Sequence, residues 1–487
     1  MRLSSLIASS DGSTLHGDDT DITGLTADSR EVKPGFLFVA IPGANYDGRK
    51  FIFEAIKRGA AAVLAPEETD IVPRVSFVIS PDLRSTISRV ASRFYPQQPE
   101  MIAAITGTSG KTSTAQFTRE IWQALGHKSA SIGTLGLITA HETRYGSLTT
   151  PDAITLHRLL AEIAGKGITH LAMEASSHGL ALNRLDNVHV KIGGFTNLSR
   201  DHLDFHGTME EYLAAKLRLF TAVMPKKSIA VLNTDASEYE EIAADSRGRG
   251  HTIISYGQGG KDLRLKKVTP DSRGQILQFE MFGKPAEILL PVIGSFQAWN
   301  ALCALGMVIG SGADHAKAAE ALGKVTGVPG RLQLAGYTKS GAAIFVDYAH
   351  KPDALENVLK ALRPHVAVHR GAKLGVVFGC GGNRDAGKRP IMGAIAQRGA
   401  DWVIVTDDNP RHEEPSSIRQ AILGGCKPGP DLREIGDRAE AIAAGINRLG
   451  PNDVLVIAGK GHESGQIIGD KTLPFDDAEV ARKVLGI

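Results

Sequence analysis

Short apolar runs alternate with amphipathic or polar stretches along most of the chain. Four such runs lie in the middle of the chain and precede helical or loop sequence: Met101–Ile105, Ile168–Met173, Val188–Phe195 and Ser228–Leu232. Four more lie towards the C-terminal end: Ile344–Val346, Leu374–Phe378, Trp402–Val405 and Val454–Ile457. Strands that alternate with helices predict parallel sheets covered by helices, so we expect an α/β fold in both regions.

A smaller version of the same pattern occupies the first 98 residues. Phe36–Ala40 and Ala61–Leu64 have the composition of strands, and the helix-like segment 51–60 lies between them. Tyr95–Pro99 contains two prolines, which break regular structure and predict a linker. The beginning of the chain is therefore expected to form a small α/β domain of its own.

Three domains are predicted, because a chain of 487 residues is too long for one hydrophobic core. Residues 264–290 alternate apolar and polar positions around turn residues at 271–274, which predicts a small antiparallel addition. Glycine and proline at 327–330 indicate the next boundary. The predicted domains are a small N-terminal α/β domain, a central parallel-sheet domain and a C-terminal Rossmann-like α/β domain, at residues 1–98, 99–328 and 329–487.

Composition narrows the class of protein. Apolar residues make up 42% and charged residues 22% of the chain, as in ordinary globular proteins, and the net charge of +2 favours no polyanion such as nucleic acid. The three cysteines are widely spaced, which predicts neither disulfides nor a zinc site and fits a reducing cytoplasm. The first 13 residues do not have the pattern of a signal peptide, and no apolar run reaches the roughly 18 residues of a membrane span.

A glycine turn between the strand Met101–Ile105 and a helix-like run carries the clearest chemical signal. Gly107 and Gly110 allow backbone N–H groups to converge on an anion, Lys111 can reach outer phosphates, and the Thr112 hydroxyl can bind Mg²⁺. The common phosphate loop has a glycine where Ile105 stands here, so the shorter loop argues against an ordinary GTPase or kinase. The alternative is a tight turn that binds nothing.

Polar side chains follow two other predicted strands. Glu174 ends one strand and His202 follows the next. Ligands of open α/β sheets bind beyond the carboxyl ends of strands, so Glu174 is a candidate for Mg²⁺ and His202 is a candidate metal ligand. The alternatives are a solvent-facing carboxylate and a structural histidine.

Lys216 falls inside the apolar stripe of a helix predicted near residues 210–220. Leu213, Leu217 and Phe220 form that stripe, so this lysine must extend to solvent, form an ion pair or lose its charge. Desolvation lowers the pKa of an amine, and a neutral amine reacts with CO₂ to give a carbamate. The pattern alone leaves a lysine that extends to solvent at the edge of the stripe as an alternative.

Several sequence motifs together resemble the ATP-dependent Mur ligases of peptidoglycan precursor synthesis. They are GTSGKT, MEASSHGL, TNLSRDHLDFH, EEYLAAK, PGRLQ and VDYAHKPDAL, and they extend over all three predicted domains. Within that family, Asp408-Asn409-Pro410-Arg411 resembles the sequence with which the diaminopimelate-adding members recognise their amino acid. The resemblance implies a UDP-sugar substrate domain, a central P-loop ATPase domain and a C-terminal amino-acid-binding domain.

The resemblance also implies roles for individual residues. The ATP phosphates would be held by Gly107, Thr108, Ser109, Gly110, Lys111, Thr112 and Ser113, and other parts of ATP by Asn300, Arg331 and Asp347. One Mg²⁺ would be held by Thr112 and Glu174, and a second by His202 and carbamylated Lys216. The UDP-sugar peptide would contact Ser29, Thr149, Thr150, Ser176 and Arg184. The incoming amine would contact Arg384, Asp408, Asn409, Pro410, Arg411, Gly459 and Glu463. The sequence departs from the family pattern at Leu182, Gln333 and Asn383.

The reaction implied by the resemblance joins meso-2,6-diaminopimelate to UDP-N-acetylmuramoyl-L-alanyl-D-glutamate (UDP-MurNAc-L-Ala-D-Glu). ATP would phosphorylate a carboxylate of the D-Glu residue, and the amine would displace phosphate from the acyl phosphate, a step that requires alignment and charge neutralisation. Lysine-adding relatives and folylpolyglutamate synthetase-like ligases share the phosphate loop and are alternatives. A nucleotide-driven hydrolase or switch and a non-catalytic UDP-sugar-binding protein are alternatives of other classes. We expect a cytoplasmic monomer with no nucleic-acid or membrane partner.

Overall fold

The structure, a computed structural model, describes residues 1–7, 12–43, 47–72, 75–146, 148–271 and 273–487. Residues 8–11, within the segment for which no signal peptide is predicted, and Ser272, within the predicted turn, lie outside the described residues. The chain divides into two compact units. The first unit comprises Met1–Ser255 and Gly306–Ala313, and the second comprises Tyr256–Leu305 and Asp314–Ile487. Both units are α/β, as predicted, whereas the boundaries proposed at residues 98 and 328 stay a prediction.

The N-terminal part of the first unit is a small sheet with helices. Its elements are α1 (Leu3–Leu6), β1 (Thr14–His16), β2 (Gly24–Thr26), β3 (Phe36–Val39), α2 (Ile52–Lys57), β4 (Ala62–Pro66), β5 (Ser76–Ser80) and α3 (Leu83–Phe94). The strand order is β1-β5-β4-β3-β2, parallel except for β1. Asp82 caps α3 by accepting a hydrogen bond from the Ser85 N–H, which satisfies a free donor at the start of the helix.

The rest of the first unit is built on a larger sheet. Its elements are β6 (Met101–Thr106), α4 (Lys111–Ala124), β7 (Ser129–Gly133), β8 (Gly136–Ile138), β9 (Thr143–Arg144), α5 (Ala153–Gly165), β10 (His170–Glu174), α6 (Ser177–Ala181), β11 (Val190–Phe195), α7 (Leu203–His206), α8 (Met209–Arg218), β12 (Ile229–Asn233), α9 (Tyr239–Gly248) and β13 (Thr252–Gly257, which continues into the second unit). The order β12-β11-β6-β10-β7-β8-β9 is parallel from β12 to β7, and β8 and β9 are antiparallel.

The parallel strands of this sheet are buried on both faces, and their apolar side chains form a continuous core with the helices. Each of the four strands predicted here is present within two residues of its expected bounds. The helix predicted near 210–220 differs, because α8 ends at Arg218 and a π-helical turn, Leu219–Val223, follows. Leu219, Phe220 and Val223 of this wider turn are all buried in the core.

The second unit contains a three-stranded antiparallel segment and a mostly parallel sheet. Its elements are β14 (Leu263–Asp271), β15 (Gly274–Met281), β16 (Lys284–Leu290), α10 (Gln297–Gly310, which continues into the first unit), α11 (His315–Leu322), β17 (Gln333–Tyr337), β18 (Ala343–Asp347), α12 (Pro352–Val366), β19 (Leu374–Phe378), α13 (Lys388–Gly399), β20 (Trp402–Val405), α14 (Pro415–Leu423), β21 (Leu432–Glu434), α15 (Arg438–Asn447), β22 (Val454–Ala458), β23 (Gly465–Ile468), β24 (Lys471–Pro474) and α16 (Asp477–Leu485).

The strand order of the second unit places several loops at one sheet edge. The order is β17-β18-β22-β19-β20-β21, with β17 antiparallel and the other pairs parallel. The carboxyl ends of β18, β19, β20 and β22 therefore lie side by side, which is where ligands bind in open α/β sheets. The antiparallel segment β14-β15-β16 confirms the addition predicted at 264–290. Within the described residues, no helix is long and apolar enough to cross a membrane.

Candidate active site

The loop between β6 and α4 is shaped by two glycines. Gly110 has φ of 87° and Gly107 has φ of 141°, a region that other residues rarely adopt. A Cβ atom on Gly107 would lie 1.9 Å from the Thr196 hydroxyl oxygen, so this position has no room for a side chain. The Ser109 N–H donates to the Asn197 side-chain oxygen at 2.9 Å. The loop is therefore held in one shape by residues that follow β11.

Lys111 begins α4 and folds back over this loop. Its ammonium donates to the carbonyl oxygens of Gly107 and Thr108, both at 2.8 Å. Burial lowers the pKa of Lys111, and the carboxylates of Glu174 and Asp201 oppose that shift. Gly110 has no side chain with which to cap the start of α4, so the first N–H groups of this helix remain available to an anion. This combination of a lysine and an uncapped helix start suits the outer phosphates of a nucleotide.

Glu174 lies at the carboxyl end of β10 and is buried. Its two carboxylate oxygens accept hydrogen bonds from the Thr134 N–H at 2.8 Å and the Thr134 hydroxyl at 3.3 Å. Burial raises the pKa of Glu174, while Thr134, Lys111 and the Thr112 hydroxyl oppose that rise. The Thr149 hydroxyl oxygen lies 3.1 Å from that of Thr134. The structure excludes the solvent-facing alternative and adds Thr134, which the sequence analysis missed because it follows a different strand.

These oxygen atoms fit a magnesium ion. Within the described residues, no three His, Cys, Asp or Glu side chains form a metal-binding group. Mg²⁺ commonly takes only one or two carboxylates and completes its shell with water and phosphate oxygens, so the Glu174 carboxylate and the Thr112 hydroxyl stay candidate ligands. A Cβ on Gly133 would lie 2.1 Å from a Glu174 carboxylate oxygen, so a glycine is required beside the carboxylate.

Lys216 is buried and does not extend to solvent. Its side chain belongs to a residue that is 1% exposed, and its ammonium donates to the Gly107 carbonyl oxygen at 2.8 Å. The nitrogen lies 4.2 Å from the centre of the Tyr212 ring. Burial and, to a smaller extent, the Lys111 charge lower the pKa of Lys216 to about 6, although Asp201 opposes both. The amine is therefore largely neutral at pH 7, the form that reacts with CO₂.

Three histidines surround the same part of the site. His202 has φ of 53°, and its ring centre is 4.8 Å from that of His178 and 6.4 Å from that of Tyr212. His206 is buried and lies 5.1 Å from the Tyr212 ring centre. Tyr212 thus has His202 on one side and the Lys216 nitrogen close to its ring. The two residues predicted for the second Mg²⁺ are brought to one aromatic side chain, although Lys216 as an amine is a hydrogen-bond donor and not a ligand.

Four of the residues predicted to bind the UDP-sugar peptide form one hydrogen-bonded group beside Glu174. The Thr150 hydroxyl donates to the Glu174 carbonyl oxygen at 2.9 Å and accepts from the Ser176 N–H at 3.0 Å. Arg184 donates to the Thr150 carbonyl oxygen at 2.9 Å, and burial lowers the pKa of its guanidinium. Thr149 joins the group because its hydroxyl contacts that of Thr134, which donates to Glu174. The fifth residue, Ser29, lies in the N-terminal part of the unit and contacts Glu54 at 3.3 Å.

The residues predicted to bind other parts of ATP lie in the second unit. The Asp347 carboxylate accepts hydrogen bonds from the backbone N–H groups of Leu332 at 2.7 Å and Ala349 at 2.8 Å. Burial raises its pKa to about 6, and Arg331 opposes that shift. The Arg331 guanidinium lies 5.2 Å from the centre of the Tyr348 ring. Arg331 and Asp347 therefore form one group.

Asn300, the third residue predicted to bind other parts of ATP, lies on α10. It is buried and donates to the Gln297 side-chain oxygen at 2.8 Å.

Two of the three departures from the family pattern have local partners in the second unit: Gln333 accepts from the Gly330 N–H at 2.8 Å, and Asn383 accepts from the His412 N–H at 3.1 Å. Leu182 ends α6 in the first unit. The contacts of Gln333 and Asn383 give these two residues structural roles, and the effect of all three departures on substrates stays a prediction.

A cavity of about 740 Å³ lies in the second unit, at the edge predicted from the strand order. Six of the seven residues predicted for the amine line it: Arg384, Asp408, Asn409, Arg411, Gly459 and Glu463. The seventh, Pro410, is buried and does not line the cavity, and its carbonyl oxygen packs against Gly382. The lining therefore contains two guanidinium groups, two lysines and four carboxylates from distant parts of the chain.

Arg411 is held by its own backbone and by a hairpin. It has φ of 52°, its N–H donates to the Ile467 carbonyl oxygen at 3.0 Å, and its carbonyl oxygen accepts from the Gly469 N–H at 2.7 Å. The guanidinium donates to the Gly382 carbonyl oxygen at 2.9 Å. The hairpin β23–β24 thus fixes the backbone of this residue, and the planar guanidinium retains donors that can face a carboxylate.

Asp408 presents an oxygen without a partner. One carboxylate oxygen accepts from the Asn409 N–H at 2.7 Å, and the other, Oδ2, is buried and has no hydrogen-bond partner within the described residues. A Cβ on Gly459 would lie 2.5 Å from that oxygen, so Gly459 allows the two loops to approach closely. A buried carboxylate oxygen without a donor is costly unless a ligand supplies one.

Three family models match consecutive parts of the chain. They are described as Mur ligase family, catalytic domain, over residues 21–107, Mur ligase middle domain over 105–308, and Mur ligase, glutamate ligase domain, over 330–461. Together they support the predicted architecture of three α/β domains.

Full-length relatives are similar over nearly the whole chain. The UDP-N-acetylmuramoyl-L-alanyl-D-glutamate–2,6-diaminopimelate ligase of Bradyrhizobium diazoefficiens is 51% identical over 469 residues, covering 96% of this chain and 95% of its own. The ligase of the same name from Rhizobium meliloti is 49% identical over 474 residues, covering 97% and 96%.

Solved structures give the same result. A UDP-N-acetylmuramoyl-L-alanyl-D-glutamate–2,6-diaminopimelate ligase superimposes with a TM-score of 0.74 at 33% identity, covering 96% of this chain and 95% of the other. A folylpolyglutamate synthase of Mycobacterium tuberculosis complexed with ADP has a TM-score of 0.55 at 19% identity, covering 83% and 94%, which shows a shared fold only. From the three family matches and the identity of the full-length relatives, the chain belongs to the Mur ligase family.

Proposed function

We propose that this protein is an ATP-dependent ligase that joins meso-2,6-diaminopimelate to UDP-MurNAc-L-Ala-D-Glu. The observation that carries the proposal is the cavity of the second unit, whose wall contains both guanidinium and carboxylate groups. Diaminopimelate carries an ammonium and a carboxylate at its far end, whereas lysine has only an amine there. A wall with both charges is complementary to the first amino acid and is poorly matched to the second.

Individual atoms of the wall suit the two charged groups of the amino acid. Arg411 and Arg384 can donate to a carboxylate, and the hairpin already fixes the backbone of Arg411. Asp408 has a buried oxygen without a partner, and Glu463 lies on the same wall, so both can accept from an ammonium. Asn409 follows Asp408 in the sequence and donates a hydrogen bond to Glu463. Recognition by several fixed polar groups rejects analogues that lack one of the groups, because the unpaired protein atoms then stay desolvated.

The first unit contains the groups for activating a carboxylate. Phosphoryl transfer from ATP to a carboxylate oxygen releases ADP and leaves an acyl phosphate; the amine then forms the amide bond, losing a proton, as inorganic phosphate departs. Lys111 and the uncapped start of α4 are suited to orient the phosphates and balance their charge. Mg²⁺ bound by Glu174 and Thr112, with a second ion at His202 and carbamylated Lys216, would neutralise phosphate charge.

The cellular setting belongs to the same proposal. All three cysteines, Cys303, Cys380 and Cys426, are free thiols, as expected for a protein of a reducing compartment. We propose a cytoplasmic enzyme that acts as a monomer, with a UDP-linked peptide and a diamino acid as its partners.

An amine screen tests the proposal. Purified protein is incubated with ATP, Mg²⁺, UDP-MurNAc-L-Ala-D-Glu and one amino acid at a time, and ADP release and product mass are measured. We expect turnover with meso-diaminopimelate, little with L-lysine and none when the UDP-linked dipeptide is omitted. Equal turnover with L-lysine would contradict the assignment of the cavity, and ADP release without any acceptor would indicate a hydrolase.

Arg411→Met tests the recognition step. Removing one partner of a desolvated charge pair costs about 2 kcal/mol or more, so kcat/KM for diaminopimelate should fall by at least about 30-fold. The Michaelis constant for ATP should stay unchanged. Arg433→Met, at an exposed position of the same unit, is the matched control. An unchanged preference for diaminopimelate over lysine in Arg411→Met would remove Arg411 from recognition.

A further inference from the structure

Lys460 is a buried cation directly behind the wall of the cavity. It follows β22 and is 0% exposed. Its ammonium donates to three acceptors: the Asn409 side-chain oxygen at 3.0 Å, a Glu463 carboxylate oxygen at 3.1 Å and the Gly465 carbonyl oxygen at 2.5 Å. An ammonium has three N–H donors, so all of them are used within the protein. Lys460 is not among the residues that line the cavity, so it has no direct role towards a ligand.

The contact with Lys460 determines which way the Asn409 amide points. The amide oxygen accepts from Lys460 and from the Ile467 N–H at 2.9 Å, which uses both of its lone pairs. The amide nitrogen donates one hydrogen to Glu463 at 2.8 Å. The second hydrogen of that nitrogen remains for the cavity, which Asn409 lines. Asn409 therefore offers a ligand a donor and not an acceptor.

Glu463 is oriented by the same lysine. Its Oε2 atom accepts from both Lys460 and the Asn409 amide. Its Oε1 atom has no hydrogen bond to the described residues, and Glu463 lines the cavity, so this oxygen is the one available to a ligand ammonium. Without the Lys460 ammonium, the Glu463 carboxylate would lose its fixed orientation. The Asn409 side-chain oxygen would also lose one of its two donors, so the orientation of the amide would be less well defined.

We infer that Lys460 is a positioning residue for the diamino acid: it acts through Asn409 and Glu463 to present one donor and one acceptor to the far end of the substrate. This inference deepens the proposed function and rests on it. A group that is held by supporting hydrogen bonds loses less freedom when a ligand binds, so the effect of Lys460 should appear in amino-acid selectivity and not in nucleotide binding.

Lys460→Met keeps the length of the side chain and removes the charge and the donors. We expect the Michaelis constant for meso-diaminopimelate to rise by about 10-fold or more, and the preference for diaminopimelate over L-lysine to fall by a similar factor. The Michaelis constants for ATP and for UDP-MurNAc-L-Ala-D-Glu should change by less than about twofold. Lys360→Met, at an exposed lysine that pairs with Glu356 in the same unit, is the control.

The thermal unfolding midpoint shows whether Lys460→Met is folded. If the folded variant has unchanged selectivity, or if all of its Michaelis constants rise in parallel, the inference is overturned. If Lys460→Met fails to fold because Glu463 is left unpaired, Lys460→Met/Glu463→Gln removes both charges and is compared with Glu463→Gln. We then expect selectivity to fall further in the double variant, since Asn409 is no longer oriented, and equal selectivity overturns the inference. Failure of the proposed function would instead appear as absent diaminopimelate turnover in the unmodified protein.

Discussion

The low pKa of Lys216 predicts that this side chain carries CO₂ as a carbamate. With its pKa lowered to about 6, roughly 90% of the amine is neutral at pH 7. At the ordinary lysine value of 10.5, only about 0.03% would be neutral, so the lowered pKa increases the reactive form by about 3,000-fold. A carbamate converts a hydrogen-bond donor into an anionic oxygen group, the kind of ligand that Mg²⁺ prefers. Lys216→Ala should therefore lower kcat by about 100-fold or more.

Two measurements check this prediction. ¹³C-labelled bicarbonate should give the unmodified protein a carbamate signal in its carbon NMR spectrum, and Lys216→Ala should lack that signal. Short-chain carboxylates such as acetate should partly restore the activity of Lys216→Ala, because they supply the missing anionic oxygens. Lys226→Ala, an exposed lysine of the same unit, is the matched control and should keep both the signal and the activity.

Three outcomes would each refute the reasoning. They are full activity in Lys216→Ala, an active protein without any carbamate signal, and an activity that is indifferent to the removal of dissolved CO₂.

The remaining predictions concern the first unit. Gly133→Ala should push the Glu174 carboxylate away from Thr134, because the new Cβ would lie 2.1 Å from it; magnesium-dependent activity should fall by about 10-fold or more while the unfolding midpoint changes little. Lys111→Ala should weaken ATP binding in calorimetry with Mg²⁺, and indifference of the affinity would disprove the phosphate loop. His157→Phe should flatten the pH dependence of stability. Burial lowers the pKa of His157 from 6.5 to about 4, so its contribution is complete above pH 6.5 and about 3 kcal/mol is lost as pH falls to 4; urea unfolding between pH 7 and 4.5 measures this slope, and identical slopes would contradict the assignment.

Much of the fold was accessible from the pattern of apolar residues. Buried parallel strands such as Leu374–Phe378 and Trp402–Val405 are short continuous apolar runs, and the structure has both with the predicted bounds. The glycine turn at Gly107 was also accessible, because a strand, a glycine loop and a lysine occur in direct succession. Local sequence therefore specifies elements whose cause is local.

Features that depend on distant parts of the chain could not be predicted in the same way. Thr134 contacts Glu174 only because β7 and β10 are neighbours in the sheet, and no local pattern indicates that pairing. The position of Lys216 in an apolar stripe suggested either burial or solvent exposure, and only tertiary packing decides between them. Lys460 follows an apolar strand like many surface lysines do, so its complete burial gives no signal in the sequence.

The hairpin that holds Arg411 has a consequence for how amino-acid preference can change among related enzymes. Its two hydrogen bonds with Arg411 join main-chain atoms only, so they do not depend on which side chain stands there. Another residue able to adopt the same positive φ, such as asparagine, could replace this arginine while the path of the chain is preserved. At this position the main-chain hydrogen bonds support the fold, whereas the side chain contributes to selectivity. A new diamino acid preference could therefore arise without loss of the cavity.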